Sequence, residues 1–231
     1  MRRLPPDRRV FFEAIEATLF PSGLSTERRE GLNAILDGWQ DRFPKGDLRW
    51  LAYILATAYH ETAFTMQPVR ETLASSDEEA VARLDRAFAN GKLSWVKTVY
   101  WSPDEDGKTW LGRGLVQLTH KRNYEEMSRL TGIDLTGDPS RAMEMPVAVS
   151  ILIDGMIAGS FTKHRLCDHF NDQTEDWVNA RRIVNGTDRA EKIAGYAKVF
   201  LSALEARPAA GGRLKRFFRR AIAPFIDKKQ R

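Results

Sequence analysis

Two carboxylates stand where their neighbours leave them little structural work. Glu61 lies near the end of Ala58-Tyr59-His60-Glu61-Thr62, which closes an apolar run beginning at Trp50. It follows Ile54 by seven residues, two helical turns, and so shares a side with that apolar position. A carboxylate placed there loses hydration, and its proton affinity is expected to rise. That is how a carboxyl group becomes a proton donor near neutral pH. A Glu at a helix end equally serves as a cap, or as partner to a nearby cation such as Arg70, and the residues leave both readings open. Glu71 comes ten residues later, in a connection. Ser76 to Glu79 reads as a capping box, which employs Glu78 and Glu79 in the next helix. Glu71 has no such task and is the candidate second carboxylate.

His60 beside Glu61 invites comparison with a zinc-protease helix, but position 64 is Phe64, so the His-Glu-x-x-His spacing is absent. With Cys167 as the single cysteine, neither a disulfide framework nor a multi-cysteine zinc site is expected. No metal and no cofactor is expected, and His60 reads as an orienting or core histidine. Trp95, Trp101 and Trp110 gather in one stretch, where such rings either stack on sugars or pack into a core.

The elements that must position these residues are mostly helical. Asp7 caps a first helix with Val10, Phe11, Ile15 and Leu19 inward, broken by Pro21-Ser22-Gly23. Ser25 or Thr26 opens a second, with Leu32, Ile35, Leu36, Trp39 and Phe43 in one stripe. Asp47 opens the third, which carries Trp50, Leu51, Ile54, Leu55 and Ala58 up to Glu61. The capped helix after Ser76 places Val81, Leu84 and Phe88 inward and stops at Asn90-Gly91. Val99-Tyr100-Trp101 and Thr109-Trp110-Leu111 flank Asp104-Glu105-Asp106-Gly107, a hairpin signal. Further helices run from Lys121 to a stop at Gly132, from Pro146 through Ile153, and from a Thr174 cap through Trp177 and Ile183. Asp188-x-x-Glu191 opens the last, with Ile193, Tyr196, Ala197, Phe200 and Leu204 inward. The fold class is mainly α: a helical domain over residues 1–206 with a small β-hairpin flap.

Charge separates the remainder from that domain. Residues 207–231 carry nine Lys or Arg and one acid, Asp227, whereas residues 1–206 hold 27 basic and 30 acidic groups. A body of net −3 argues against nucleic acid as a partner. Pro208-Ala209-Ala210-Gly211-Gly212 reads as a linker, and residues 213–226 as a basic amphipathic tail suited to an anionic membrane surface. A helix docked on the body and a solubilising tail are its alternatives. At the N-terminus, Val10-Phe11-Phe12 is followed by Glu13 and Glu16, which is not the apolar region of a signal peptide. The expectation is a protein made and held in the cytoplasm.

Ala58-Tyr59-His60-Glu61-Thr62, then Leu111-Gly112-Arg113-Gly114-Leu115-Val116-Gln117-Leu118-Thr119 with Asn123-Tyr124, then Arg182-Ile183-Val184-Asn185-Gly186 resemble, in that order, three motifs of glycoside hydrolase family 19. These are the chitinases and related phage or prophage cell-wall lysozymes. The resemblance covers roughly residues 45–205 and implies a lysozyme-like α+β fold. It implies Glu61 as general acid, Thr119 as a holder of the attacking water, and His60, Gln117, Asn123, Tyr124 and Asn185 as substrate contacts. It also implies an inverting mechanism, which needs a second carboxylate about 6.5–9.5 Å from the first. Plant members carry theirs about two dozen residues on, where this chain has Arg83, Leu84 and Asp85. Phage-type members use a shorter spacing, which Glu71 fits as general base. The implied function is endo-hydrolysis of β-1,4 bonds in peptidoglycan by a monomeric endolysin acting on the wall after release. A chitinase, and a non-catalytic glycan-binding or membrane-active protein, are the alternatives.

Overall fold

The computed structural model describes residues 7–208. The basic stretch 213–226 and all but the first residues of the 207–231 segment lie outside them, so the tail is not described. The described chain is mainly helical with a small two-stranded antiparallel sheet, as the sequence leads one to expect.

Helix α1 (Arg8–Leu19) starts where the Asp7 carboxylate accepts the Val10 N–H, and α2 (Thr26–Arg42) where Ser25 Oγ accepts that of Arg28. Helix α3 (Leu48–Glu61) is capped by Asp47. Each cap satisfies an N–H that the first helical turn leaves without a partner. In α3 every residue from Leu51 to Tyr59 is buried, as befits a helix apolar all round. It packs most extensively on α8 (Ala190–Glu205), which also holds α1, while α2 packs on α6 (Met145–Ala158). Gly31 lets α2 approach the loop after α3, since a Cβ there would overlap the Met66 carbonyl.

Two apolar clusters form. The larger joins α1, α2, α3, α6 and α8; the smaller gathers Ala74, Ala80, Leu84, Trp101 and Leu111 around α4 (Asp77–Ala89). Two of the passages between them bear on the site. Met66 belongs to the first and Ala74 to the second, while Leu111 belongs to the second and Leu115 to the first. At these crossings lie β1 (Val69–Arg70) and β2 (Arg113–Gly114), paired Val69 with Gly114 and Arg70 with Arg113.

Two arginines opposite each other in a ladder would repel; Asp77, at the start of α4, binds both. Its Oδ1 takes Arg70 Nε at 2.6 Å and its Oδ2 takes Arg113 Nη2. Arg113 is 1 % exposed and donates also to Thr109 Oγ1 and to the Tyr124 hydroxyl. Burial pushes the Asp77 carboxyl up, but Arg113 and Arg70 outweigh it and hold it below the usual 3.8. Its contribution to stability is therefore complete above that pH and is lost as pH falls beneath it. Asp77→Ala strands a buried guanidinium, and we expect a loss of about 3 kcal/mol or more in urea unfolding at pH 7.

The sheet lies elsewhere than the sequence suggests. Residues 99–101 and 109–111 form no strands; Trp110 N–H reaches Tyr100 O at 3.3 Å, and the Asp104 carboxylate closes the turn by accepting from Asp106 N, Lys108 N and Trp110 Nε1. Trp101 and Trp110 are core residues, and Trp95 is 72 % exposed. Two expected caps also differ. Asp176, not Thr174, accepts the Asn179 N–H at the head of a short 3-10 turn, Asn179–Ile183. Helix α8 is preceded by Arg189 in a left-handed conformation, with no side-chain cap from Asp188. In both places a tight local turn supplies the entry that a capped α-helix was expected to make.

Candidate active site

Every residue of the Tyr59–Thr62 stretch has a distinct position. Tyr59 donates its hydroxyl to Leu19 O at 2.8 Å, tying the end of α3 to the end of α1. Thr62 is fully buried; its Oγ1 donates to Ala58 O at 2.7 Å and accepts the Met66 N–H at 3.0 Å. The chain then turns sharply, with Ala63, Phe64 and Met66 all at positive φ. Such backbone is costly for non-glycine residues and persists only where its surroundings enforce it.

Glu61, its side chain 16 % exposed, places Oε1 2.6 Å from Arg181 Nη1. The Arg181 side chain is 4 % exposed and also donates Nε to Asp188 O. The cationic partner is therefore Arg181, 120 residues away, and not Arg70, which is occupied by Asp77. A carboxylate at a helix C-terminus faces the negative end of the helix dipole, and the guanidinium offsets that. His60 keeps Nδ1 buried without a protein partner. Burial first, then Arg181, Arg189 and Lys192, pushes its pKa down to about 4, with Asp188 opposing. It is thus neutral near pH 7 and free to donate or accept one hydrogen bond.

Glu71 lies at the crossing between the two clusters, in a 3-10 turn where Thr72 and Leu73 have positive φ. Its N–H donates to Gly112 O at 2.7 Å, and its Oε2 accepts the Gly112 N–H at 2.8 Å. Its Oε1 accepts the Tyr100 hydroxyl at 2.6 Å. Both oxygens are thereby oriented, each with lone-pair capacity to spare for a water.

The loop after β2 closes on itself through Arg113 and Leu118, which exchange both backbone hydrogen bonds. This brings Gln117 and Thr119 to Gly112. A Cβ on Gly112 would lie 2.8 Å from Gln117 Oε1, 3.3 Å from Glu71 Oε2 and 3.3 Å from Thr119 Cγ2. Gln117 donates Nε2 to Val69 O, and Asn123 donates Nδ2 to Thr119 O at 2.7 Å. Gly112→Ala is accordingly expected to displace Gln117 or Glu71 by a few tenths of an ångström. Any activity that depends on Glu71 should fall by about tenfold to a hundredfold, with circular dichroism unchanged.

Of the predicted residues, Glu71, Gln117 and Thr119 gather around Gly112, Asn123 is hydrogen-bonded to Thr119 O, and His60 and Glu61 share the end of α3. Asn185 is exposed, four residues after Arg181 and bonded to its carbonyl through N–H, with Oδ1 turned to Gly186 N. Tyr124 corrects the expectation of a substrate contact. It is 0 % exposed, and its hydroxyl donates to Leu111 O and accepts from Arg113, so it supports the loop from inside. Arg181 and Tyr100 were not predicted as site residues. Arg181 immediately precedes the Arg182–Gly186 motif, and Tyr100 stood within the aromatic cluster, but nothing local distinguishes either. A cavity of about 540 Å³ opens beside Arg113, lined by Asp77, Asp85, Lys108 and Ser140 among others; neither Glu61 nor Glu71 lines it.

In comparisons with known proteins, the chain matches no family model, no curated protein and no solved structure.

Proposed function

We propose that the chain is an inverting endo-glycosidase of the endolysin type, cutting β-1,4 bonds in bacterial peptidoglycan. The observation that carries this reading is the pair of differently held carboxylates: Glu61 fixed by a buried arginine, and Glu71 fixed by Tyr100 and by the backbone N–H of Gly112. Two oriented carboxyl groups, one to give a proton and one to take one, are what glycosidic hydrolysis requires.

In this scheme Glu61 delivers its proton to the glycosidic oxygen as the bond to the anomeric carbon breaks. The Arg181 guanidinium then stabilises the carboxylate left behind. Glu71 accepts a proton from water as that water attacks the opposite face of the sugar. Thr119 Oγ1 lies on the same loop to hold the water, and Tyr100 and Gly112 N–H keep Glu71 aimed. Neutral His60, Gln117 and Asn185 supply hydrogen bonds to the N-acetylated sugars. The tail, with its excess of Lys and Arg, raises the local concentration on an anionic wall.

The test is mass spectrometry of the products from peptidoglycan and from N-acetylglucosamine oligomers, with the new reducing sugar identified and its first anomer read by proton NMR. We expect new reducing ends from peptidoglycan, released first as the α-anomer. Absence of new reducing ends from both substrates would end the glycosidase reading. A β-anomer released first would replace inversion by retention, and cleavage confined to the oligomers would make the chain a chitinase.

A further inference from the structure

The N-terminus of α8 carries two cations that the hydrolytic scheme leaves unused. Arg181 fastens this end of α8 to the catalytic carboxylate, giving one nitrogen to Glu61 and another to Asp188 O at 3.2 Å. The next residue, Arg189, is held at a φ of 54°, a left-handed backbone that side chains other than glycine rarely adopt. Its carbonyl accepts the Ile193 N–H in the first turn of α8, and its side chain is 58 % exposed. The acid beside it, Asp188, is 73 % exposed and 3.7 Å away, a contact that water and salt weaken.

Lys192 follows one turn later. Its Nζ lies 5.9 Å from the centre of the Tyr196 ring, and Tyr196 packs edge-on against Tyr59, the residue before His60. Positions 192 and 196 therefore share the side of α8 that meets the end of α3, with Arg189 at the head of the helix. Glu191, the residue before Lys192, points about 100° round the helix from it. The charge of both cations is felt at His60, where Arg181, Arg189 and Lys192 act together against Asp188.

We infer that Arg189 and Lys192 form a carboxylate-binding rim beside Glu61, selecting a glycan that bears anionic substituents over a neutral one. This rests on the glycosidase reading and names the substrate class of the same site. The chemistry recognised is a carboxylate near the sugar, supplied in peptidoglycan by the stem peptide, or by the lactyl group where no peptide is attached to it. An arginine fork matches a carboxylate in two hydrogen bonds, and a lysine adds a mobile point charge. A neutral N-acetylglucosamine polymer offers nothing to either. Because the rim touches neither the glycosidic oxygen nor the attacking water, its effect belongs in KM and in salt dependence, not in kcat.

The experiment compares the full chain with Arg189→Gln/Lys192→Gln on four glycans. These are intact peptidoglycan, peptidoglycan stripped of stem peptides by an amidase, peptidoglycan with its carboxylates converted to amides, and N-acetylglucosamine oligomers. Hydrolysis is followed by reducing ends and binding by co-sedimentation or, for the oligomers, by calorimetry. We expect the double variant to raise KM on intact peptidoglycan by about tenfold at 0.05 M salt, with kcat within about twofold. The difference should shrink at 0.5 M salt and vanish on the amidated glycan and the oligomers. Loss of the difference after stripping assigns it to the stem peptide, and its retention shows that the lactyl carboxylate uncovered by the amidase is bound by the rim as well. Equal KM for both proteins on intact peptidoglycan overturns the rim, as does an equal penalty on the neutral oligomers. If the wild-type chain cleaves none of the four, the glycosidase reading fails, and the binding comparison still decides whether the rim selects carboxylates.

Discussion

Glu61→Gln is expected to fold and to lose about 10²- to 10⁴-fold in the rate of cell-wall lysis, as removal of a general acid does. The amide has no proton to deliver to a leaving alkoxide. Its carbonyl can still accept from Arg181, so geometry is largely retained. What is lost is the negative charge opposite a guanidinium whose side chain is only 4 % exposed. A buried cation without its counter-ion costs stability, here about 1–3 kcal/mol in urea unfolding. Pairing the change with Arg181→Gln removes the unmatched charge, so the double variant should regain part of that stability and none of the rate. Lysis by Glu61→Gln at the wild-type rate would remove Glu61 from the mechanism and take the glycosidase reading with it.

The second large effect is at Glu71. Replacing it by Gln puts an NH₂ group at one of two positions that now accept hydrogen bonds, one from Gly112 N–H and one from the Tyr100 hydroxyl. The amide can keep its oxygen on Gly112 N–H only if the Tyr100 hydroxyl turns to accept from its NH₂, and the group can no longer take a proton from water. The rate should fall by about 10²- to 10⁴-fold. Tyr100→Phe keeps the base and loses one of its two holders, so a smaller loss is expected, about tenfold and mainly in kcat. If Glu71→Gln costs less than tenfold, another group takes the proton and the pair Glu61–Glu71 is wrong.

The parts of the fold legible in the sequence are those governed by contacts a few residues apart. Asp7, Ser25, Asp47 and Ser76 were readable as caps because each bonds an N–H two or three residues ahead. Gly132 was readable as a stop because its left-handed backbone, at a φ of 72°, suits glycine. The Asp-Gly turn at 104–107 was also correctly seen, but the strands assigned to its arms were not. A hairpin signal locates a turn. Whether ladders form beyond it depends on what else competes for those backbone groups, and here Thr109 O accepts from Arg113, Trp110 O from the His120 N–H and Leu111 O from Tyr124.

The candidate site divides along the same line. That Glu61 ends a helix buried all round, and that Glu71 precedes the cap of the next helix without serving in it, follows from periodicity and capping, which are local. What holds each carboxylate does not. Arg181 reaches Glu61 across 120 residues because α8 packs along α3 and draws the 179–189 segment over its end. Tyr100 and Gly112 reach Glu71 because the chain crosses between two apolar clusters at 66–74 and again at 111–115. Tyr124 turns inward for the same reason, as the buried support of a loop in which only Gln117 and Thr119 of the motif are partly exposed. Charge and hydrogen-bond partners this far apart are chosen by how the helices pack, and packing is a property of the whole set of apolar faces rather than of any one stretch.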